Sequence, residues 1–181
     1  VGNLQIFEHP DRINGYAEFL HQTGPLLWVV RLVLLVSVVI HIWAATVLTL
    51  ENKRARGQHG YGRHKTWIQA AASSRYIRWT GYVVLAFIVY HLAQFTWGVT
   101  NPADFKTHHT YVMHQDYHVA GFPVIKAGTA VPNVYLMVFR GFESAPVAIF
   151  YMIAVGLLSF HLLHGADSLF QTFGWRTHRW A

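Results

Sequence analysis

The sequence contains no cysteine, and charged residues are scarce in it. Without cysteine the chain cannot form disulfides, hold an iron–sulfur cluster by thiolates or attach a c-type haem through C-x-x-C-H. Asp, Glu, Lys and Arg make up 12% of the residues, whereas soluble domains carry about 25%. Because 53% of the residues are hydrophobic, the composition indicates a membrane protein.

Three segments are apolar over the roughly 20 residues that a helix needs to cross a bilayer. They are residues 26–50, in which Arg31 is the one formal charge, residues 77–99 and residues 147–173. We therefore predict an all-α integral membrane bundle in which residues 1–181 form a single membrane-anchor domain. Residues 10–24 are expected to form a short interfacial helix. The connection 100–146 is long enough to be a small subdomain or a partner surface.

Basic residues concentrate in one connection, which predicts the topology. Residues 51–76 carry six Lys and Arg against Glu51, and the C-terminal tail adds Arg176 and Arg179. The positive-inside rule places 51–76 and the C-terminus in the cytoplasm of a prokaryotic cell, and residues 1–25 and 100–146 outside. The net charge of +6 is thus explained by topology, and the lipid bilayer rather than nucleic acid is the expected partner.

Each predicted span contains a histidine deep in apolar sequence, namely His41, His91 and His161. Polar groups at that depth are costly and face a bundle interior. A lone histidine is explained by a hydrogen bond to a neighbouring helix, but one in every span favours a cofactor, because neutral imidazole is an iron ligand. His41 and His161 are predicted to lie level, near the cytoplasmic side, and to share one iron. His91 lies in the outer half, with no partner in any span.

Other readings of these histidines are weaker. A di-iron bundle needs Glu-x-x-His motifs, and no span contains glutamate. The pair His161 and His164 lies on one helical face, as zinc ligands can, but H-E-x-x-H is absent. A structural anchor whose membrane histidines bind no cofactor remains the simplest alternative. The histidines of the outer connection are interpreted as surface or partner contacts: His108, His109, His114 and His118.

The motifs resemble the single-chain, two-haem cytochrome b subunit of succinate:quinone oxidoreductases, that is, of succinate dehydrogenase and fumarate reductase. The stretches that carry the resemblance are VGNLQIF, VVIHIWAATVLT, SRYIRWTG, IVYHLAQFTWG and FHLLHGADSLFQTFGW. They cover most of the chain outside residues 101–140. The last stretch is the most specific.

The resemblance implies five helices that hold two b haems by four histidines. His41, His91 and His161 would stand on the second, third and fourth helices. The second helix would pair with the fourth, and the first with the third. We therefore expect a further apolar helix, with a histidine near its end, before Val1, and another helix after Ala181. Failing that, another polypeptide would supply the second ligand of the haem at His91.

The resemblance also implies partners and a reaction. A flavoprotein would oxidise succinate, an iron–sulfur subunit would dock on the cytoplasmic side, and two haems would pass electrons to a quinone, with menaquinone expected. This chain would hold no dicarboxylate site. Haem propionate or pocket candidates are Arg31, His164, Arg75 and Arg78. Quinone-site candidates are Glu18, His21, Ser74 and Arg75. The alternative is the di-haem anchor of another quinone-linked dehydrogenase, such as formate dehydrogenase or hydrogenase.

Overall fold

The computed structural model describes residues 2–55 and 72–175. The helices are α1 (Pro10–Gln22), α2 (Pro25–Ala55), α3 (Ala72–Phe95), α4 (Val134–Glu143) and α5 (Ala145–Thr172). The strands are β1 (Thr110–Val112), β2 (Tyr117–Val119), β3 (Phe122–Ile125) and β4 (Ala130–Pro132), and 3-10 turns cover Gly2–Phe7 and Lys106–His108. Most of the basic connection 51–76 and the two arginines of the C-terminal tail lie outside the described residues.

The prediction of three apolar helices is confirmed. Helices Pro25–Ala55, Tyr76–Phe95 and Ala145–Thr172 are each long and apolar enough to cross a membrane. The second ends earlier than predicted, at Phe95 instead of 99. There the chain turns into Gly98, whose φ of +68° is left-handed, and a Cβ at that position would lie 2.6 Å from the Phe105 ring. Glycine is thus required for this turn.

The all-α prediction is wrong for the connection 100–146, which contains two small antiparallel sheets. Strands β2 and β3 pair with each other, and β1 pairs with β4 around them. The inner hairpin turns at Ala120 and Gly121, which both have positive φ. Turn residues with positive φ match the right-handed twist of paired strands. The connection is therefore a folded subdomain, which was one of the two alternatives that its length suggested.

Helix α1 belongs to this subdomain. Its buried residues face the strands, where Met113, Tyr117, Ile125 and Val131 form a small apolar core. Gly15 lies against the Tyr117 ring so closely that a Cβ would come within 2.7 Å. The fully buried Asn14 accepts a hydrogen bond from the backbone N–H of Tyr135 at 2.9 Å, at the start of α4. The N-terminal segment and the connection 100–146 therefore lie on the same side of the spans.

The spans differ in how they pack. Helices α3 and α5 run antiparallel and contact each other along their lengths, and α4 packs across both. Helix α2 has no buried residue and meets α5 at the histidines described next. A helix that is apolar on every face suits a membrane.

Candidate functional site

The structure brings two of the three predicted histidines together. The ring centres of His41 on α2 and His161 on α5 lie 6.0 Å apart, with an angle of 79° between the ring planes. His41 is exposed and His161 is half-buried. Because α2 is otherwise unburied, the histidine pair faces space beside the α3–α5 pair.

The ring of His161 is also held from α3. Its Nδ1 lies 3.1 Å from the Thr80 hydroxyl, and that hydroxyl lies 2.9 Å from the Ile77 carbonyl. The next residue, Gly81, lies beneath the ring, and a Cβ added to it would be 3.4 Å from the His161 Cε1. A hydroxyl and a small residue on α3 therefore fix where this imidazole stands.

His91 lies at a second level of the same helix pair. It follows Gly81 by ten residues on α3, which corresponds to about 15 Å along the helix axis. Its ring centre lies 5.9 Å from that of Phe87, 5.4 Å from that of Phe95 and 6.3 Å from that of Tyr151. Within the described residues no second histidine stands at this level.

A polar chain links His91 to α4, which packs against α1 of the subdomain. Its Nδ1 lies 3.5 Å from the Tyr151 hydroxyl, which donates to Oε1 of Gln94 at 2.8 Å. The Gln94 Nε2 in turn donates to the Gly141 carbonyl on α4 at 3.5 Å. Tyr151 and Gln94 are 8% and 6% exposed. A Cβ on Gly141 would come within 2.8 Å of the Gln94 Nε2, so glycine is needed for this approach.

The predicted propionate contacts are dispersed. Arg31, near the outer end of α2, is exposed and lies over the Trp28 ring at 5.1 Å. Burial and the nearby Arg31 guanidinium lower the pKa of Lys106, a cation that the sequence analysis did not single out. Arg78 is exposed on α3, one turn from Gly81, while the side chain of Arg75 lies outside the described part. The two outer cations therefore form a positively charged region near one end of α2.

His164 bonds within its own helix. Its Nε2 lies 3.3 Å from the Ser168 hydroxyl, one turn further along α5. Its proposed contact with a haem propionate stays a prediction. The structure thus separates His164 from His161, although the two are three residues apart.

The quinone candidates lie in two places. Glu18 is half-buried on α1 and accepts a hydrogen bond from Gln22 at 3.3 Å, and His21 is exposed on the same helix. Ser74 and Arg75 stand in the first turn of α3, but their side chains are outside the described residues. The assignment of a quinone site to either place stays a prediction.

The histidines of the outer subdomain are bonded individually. The backbone N–H of His114 donates to the buried Asp11 at 2.9 Å, and His9 lies 3.1 Å from the other oxygen of that carboxylate. Burial opposes ionisation of Asp11, but these hydrogen bonds and histidines outweigh it and lower the pKa of the carboxyl. Burial and the neighbouring Asp11 raise the pKa of Tyr111 to about 12. His109 and His118 bond backbone carbonyls at 3.1 Å.

Sequence reasoning missed Thr80, Gln94 and Tyr151, the polar side chains that surround the membrane histidines. Gln94 carried a signal, because an amide inside an apolar span is costly unless it is satisfied. Thr80 and Tyr151 carried none, since threonine commonly bonds its own helix and tyrosine is common in membrane helices.

No protein-family model, curated protein or solved structure matches this chain. In the described part, no group of three or more His, Asp or Glu side chains could hold a metal ion. A haem iron takes its equatorial ligands from the porphyrin and needs only axial ligands from protein. The absence of a three-residue cluster in 2–55 and 72–175 is therefore compatible with a haem site.

The histidine pair fits an iron between its rings. Two bonds of about 2 Å between metal and imidazole nitrogen, plus the distance from each nitrogen to its ring centre, give a separation of roughly 6 Å. The observed separation of 6.0 Å agrees with this value. Helix α2 has no buried residue, so its apolar faces are open to lipid or to another apolar group. The separation of the ring centres is thus compatible with one iron held by His41 and His161.

Proposed function

We propose that the chain is the haem b subunit and membrane anchor of a succinate:quinone oxidoreductase. The observation that carries this proposal is the contact between His41 and His161 at 6.0 Å. The three apolar helices and the resemblance of the surrounding stretches support it. The supporting geometry is independent of the resemblance, since it rests on ring positions rather than on motifs.

In this proposal His41 and His161 would hold one haem, and His91 would hold a second. The described residues offer no second histidine at the level of His91, so the second haem would need a ligand from elsewhere. A bound haem b supplies one-electron oxidation and reduction. The protein's own residues orient the ligands, exclude water with the aromatic cluster around His91, and neutralise carboxylates with cations such as Arg31.

The proposed partners are an iron–sulfur subunit that docks on the basic side, a flavoprotein subunit, and a quinone that we expect to be menaquinone. The basic connection 51–76 and the C-terminus are proposed to face the cytoplasm, because of their charge. The folded subdomain then faces outward. The chain itself holds no succinate site, so oxidation of the dicarboxylate belongs to the flavoprotein.

An absorption spectrum of the purified complex tests the proposal. We expect b-type bands that dithionite reduces, with two haems per copy of the complex. If the complex folds and assembles but shows no reducible bands, the proposal is wrong. The chain would then be a structural anchor whose membrane histidines bind no haem.

Addition of succinate separates the proposal from other quinone-linked anchors. Succinate should reduce the haem bands in the intact complex, and malonate, a competing dicarboxylate, should prevent the reduction. If formate or hydrogen reduces the bands and succinate does not, the chain serves a different dehydrogenase.

A further inference from the structure

His161 and His91 each have a hydroxyl facing Nδ1 from the opposite helix of the α3–α5 pair. Thr80 on α3 faces His161 on α5 at 3.1 Å, and Tyr151 on α5 faces His91 on α3 at 3.5 Å. The arrangement is reciprocal, since each helix contributes one histidine and one hydroxyl. In both cases the histidine is the residue proposed to bind iron.

The direction of the hydrogen bond at His161 follows from the partner of Thr80. The Thr80 hydroxyl has one proton, and the Ile77 carbonyl, which can only accept, lies 2.9 Å away. With its proton donated there, the hydroxyl offers only lone pairs to His161. In this arrangement the His161 Nδ1 carries the hydrogen of the bond, and the lone pair of the neutral ring lies on Nε2.

The same reasoning applies at His91, through one more residue. The Gly141 carbonyl can only accept, so it fixes the amide of Gln94 with nitrogen towards α4 and Oε1 towards Tyr151. Tyr151 therefore donates its proton to Gln94 at 2.8 Å. Its remaining lone pairs face the Nδ1 of His91 at 3.5 Å and suit a hydrogen on that nitrogen. The neutral His91 ring likewise keeps its lone pair on Nε2.

We infer that Thr80 and Tyr151 are positioning residues that fix His161 and His91 as Nδ1–H tautomers and so present Nε2 as the nitrogen for a metal. The iron as the occupant rests on the proposed function, whereas the tautomers do not. A metal-ligating histidine generally donates its other ring N–H to an acceptor, which fixes ring orientation and raises ligand basicity. The shorter contact predicts the stronger effect, so Thr80 should matter more than Tyr151.

Nitrogen NMR of the full chain in lipid nanodiscs, prepared from haem-deficient cells, tests the tautomers without any cofactor. Long-range proton–nitrogen spectra distinguish a protonated ring nitrogen from one with a lone pair. We expect a protonated Nδ1 at His161 and His91 in the parent chain. Thr80→Val should change the spectrum of His161 and leave His91 as it was, and Tyr151→Phe should do the reverse. A proton on Nε2 of either ring in the parent chain would overturn the inference.

The haem-loaded complex provides the second test. Loss of such a bond typically weakens metal retention about 10- to 100-fold. We expect Thr80→Val to lose the haem of His161 selectively and to raise the midpoint potential of what remains, because the ligand becomes less basic. Thr80→Ser, which keeps the hydroxyl, should restore both properties. If Thr80→Ser behaves like Thr80→Val, the hydroxyl is not the cause.

Two matched controls separate positioning from packing. Thr46 bonds the Ile42 carbonyl within α2 at 2.7 Å, so Thr46→Val removes a similar intrahelical bond away from His161. Tyr90 packs on the Tyr151 ring at 6.1 Å between centres, so Tyr90→Phe removes a neighbouring phenol hydroxyl. Both controls should leave haem content and ring spectra unchanged, and a loss as large as that of Thr80→Val or Tyr151→Phe would contradict the inference.

If haem never binds but the tautomers are as expected, the proposed function fails and the positioning inference stands.

Discussion

His161 and His91 stand at two levels of one helix pair, and they are held in different ways. His161 faces another histidine across 6.0 Å and rests on Thr80 and Gly81. His91 has no second histidine within the described residues and is enclosed by aromatic rings. Its level is also connected through Gln94 to α4, which packs against α1 of the subdomain. A histidine is therefore supported by packed aromatic rings at the level of His91 and by a second histidine at the level of His161.

The largest effect is expected from variants that remove either histidine of the pair His41 and His161. His41→Ala and His161→Ala should each remove the same haem completely and leave the haem at His91, because both rings are needed to hold one iron. Redox titration of the haem bands in the purified complex checks this. The control is His164→Ala, which removes a side chain bonded to Ser168 within α5 and should retain both haems. Loss of the haem of His91 in His41→Ala would contradict the pairing.

The next largest effect is expected from a variant that disturbs the hydrogen bond between Gln94 and Tyr151, next to His91. A Cβ on Gly141 would lie 2.8 Å from the Gln94 Nε2, so Gly141→Ala should push Gln94 from Tyr151. Because the end of the Gln94 side chain can move aside and alanine favours a helix over glycine, the net change in stability should stay below about 1 kcal/mol. Thermal unfolding of the complex measures this change, and redox titration should show a shift confined to the haem of His91. Gly156→Ala on α5, where nothing lies within 4 Å of the added carbon, is the control and should change stability by no more than about 1 kcal/mol. Equal shifts at both levels would show that the levels are not independent.

A smaller effect concerns the charge near the outer end of α2. If Arg31 faces a propionate of the outer haem, Arg31→Gln should lower the midpoint potential of that haem, because a cation near the iron favours the reduced state. A tenfold change in the reduction equilibrium corresponds to about 59 mV for one electron, and we expect a shift of that order or less. Arg31→Lys keeps the charge and should shift the potential less. If the midpoint potential of the haem at His161 shifts instead, the prediction that Arg31 lies near the haem of His91 is wrong.

The smallest effect concerns the subdomain itself and is tested by pH. The pKa of Asp11 is lower in the folded protein than in the unfolded chain, because its hydrogen bonds outweigh the effect of burial. The carboxylate therefore stabilises the fold above its unfolded pKa of about 3.9, and this stabilisation is lost as the pH falls through the folded value. Thermal unfolding between pH 6 and pH 3, in the parent chain and in Asp11→Asn, measures it.

Asp11→Asn should flatten the acid side of this pH profile. Asp116→Asn is the control, since Asp116 also accepts a backbone hydrogen bond, from Ala127 at 2.7 Å, but is exposed. It should keep the acid-dependent loss of stability. An unchanged profile in Asp11→Asn would mean that another group is responsible for the acid sensitivity.

The helices of the fold were more predictable than the subdomain. The three spans follow from apolar runs, because a bilayer requires such runs whatever the tertiary packing. The strands of residues 110–132 are only three or four residues long, too short for alternation to indicate them. Their pairing depends on turns at Gly121 and Gly128 and on a core that α1 completes from a distant part of the chain.

The membrane histidines were visible in the sequence because polar residues inside a span stand out. Counting residues from the span ends was enough to predict that His41 and His161 lie level, and the structure brings their rings together. The supporting hydroxyls could not be found in this way. Threonine and tyrosine are ordinary in membrane helices, and only the antiparallel register of α3 and α5 reveals which of them face a histidine.

The sequence by itself determined where the chain can cross a membrane and which spans carry imidazoles, since both depend on local composition and a fixed helical rise. The tertiary structure alone decided which hydroxyl faces His161 and which faces His91. That outcome depends on Thr80, Tyr151 and Gln94, which reach their partners across helix pairs, and on Gly141, which lets α4 approach. Hydrogen bonds between helices require a register and a separation that no single helix encodes.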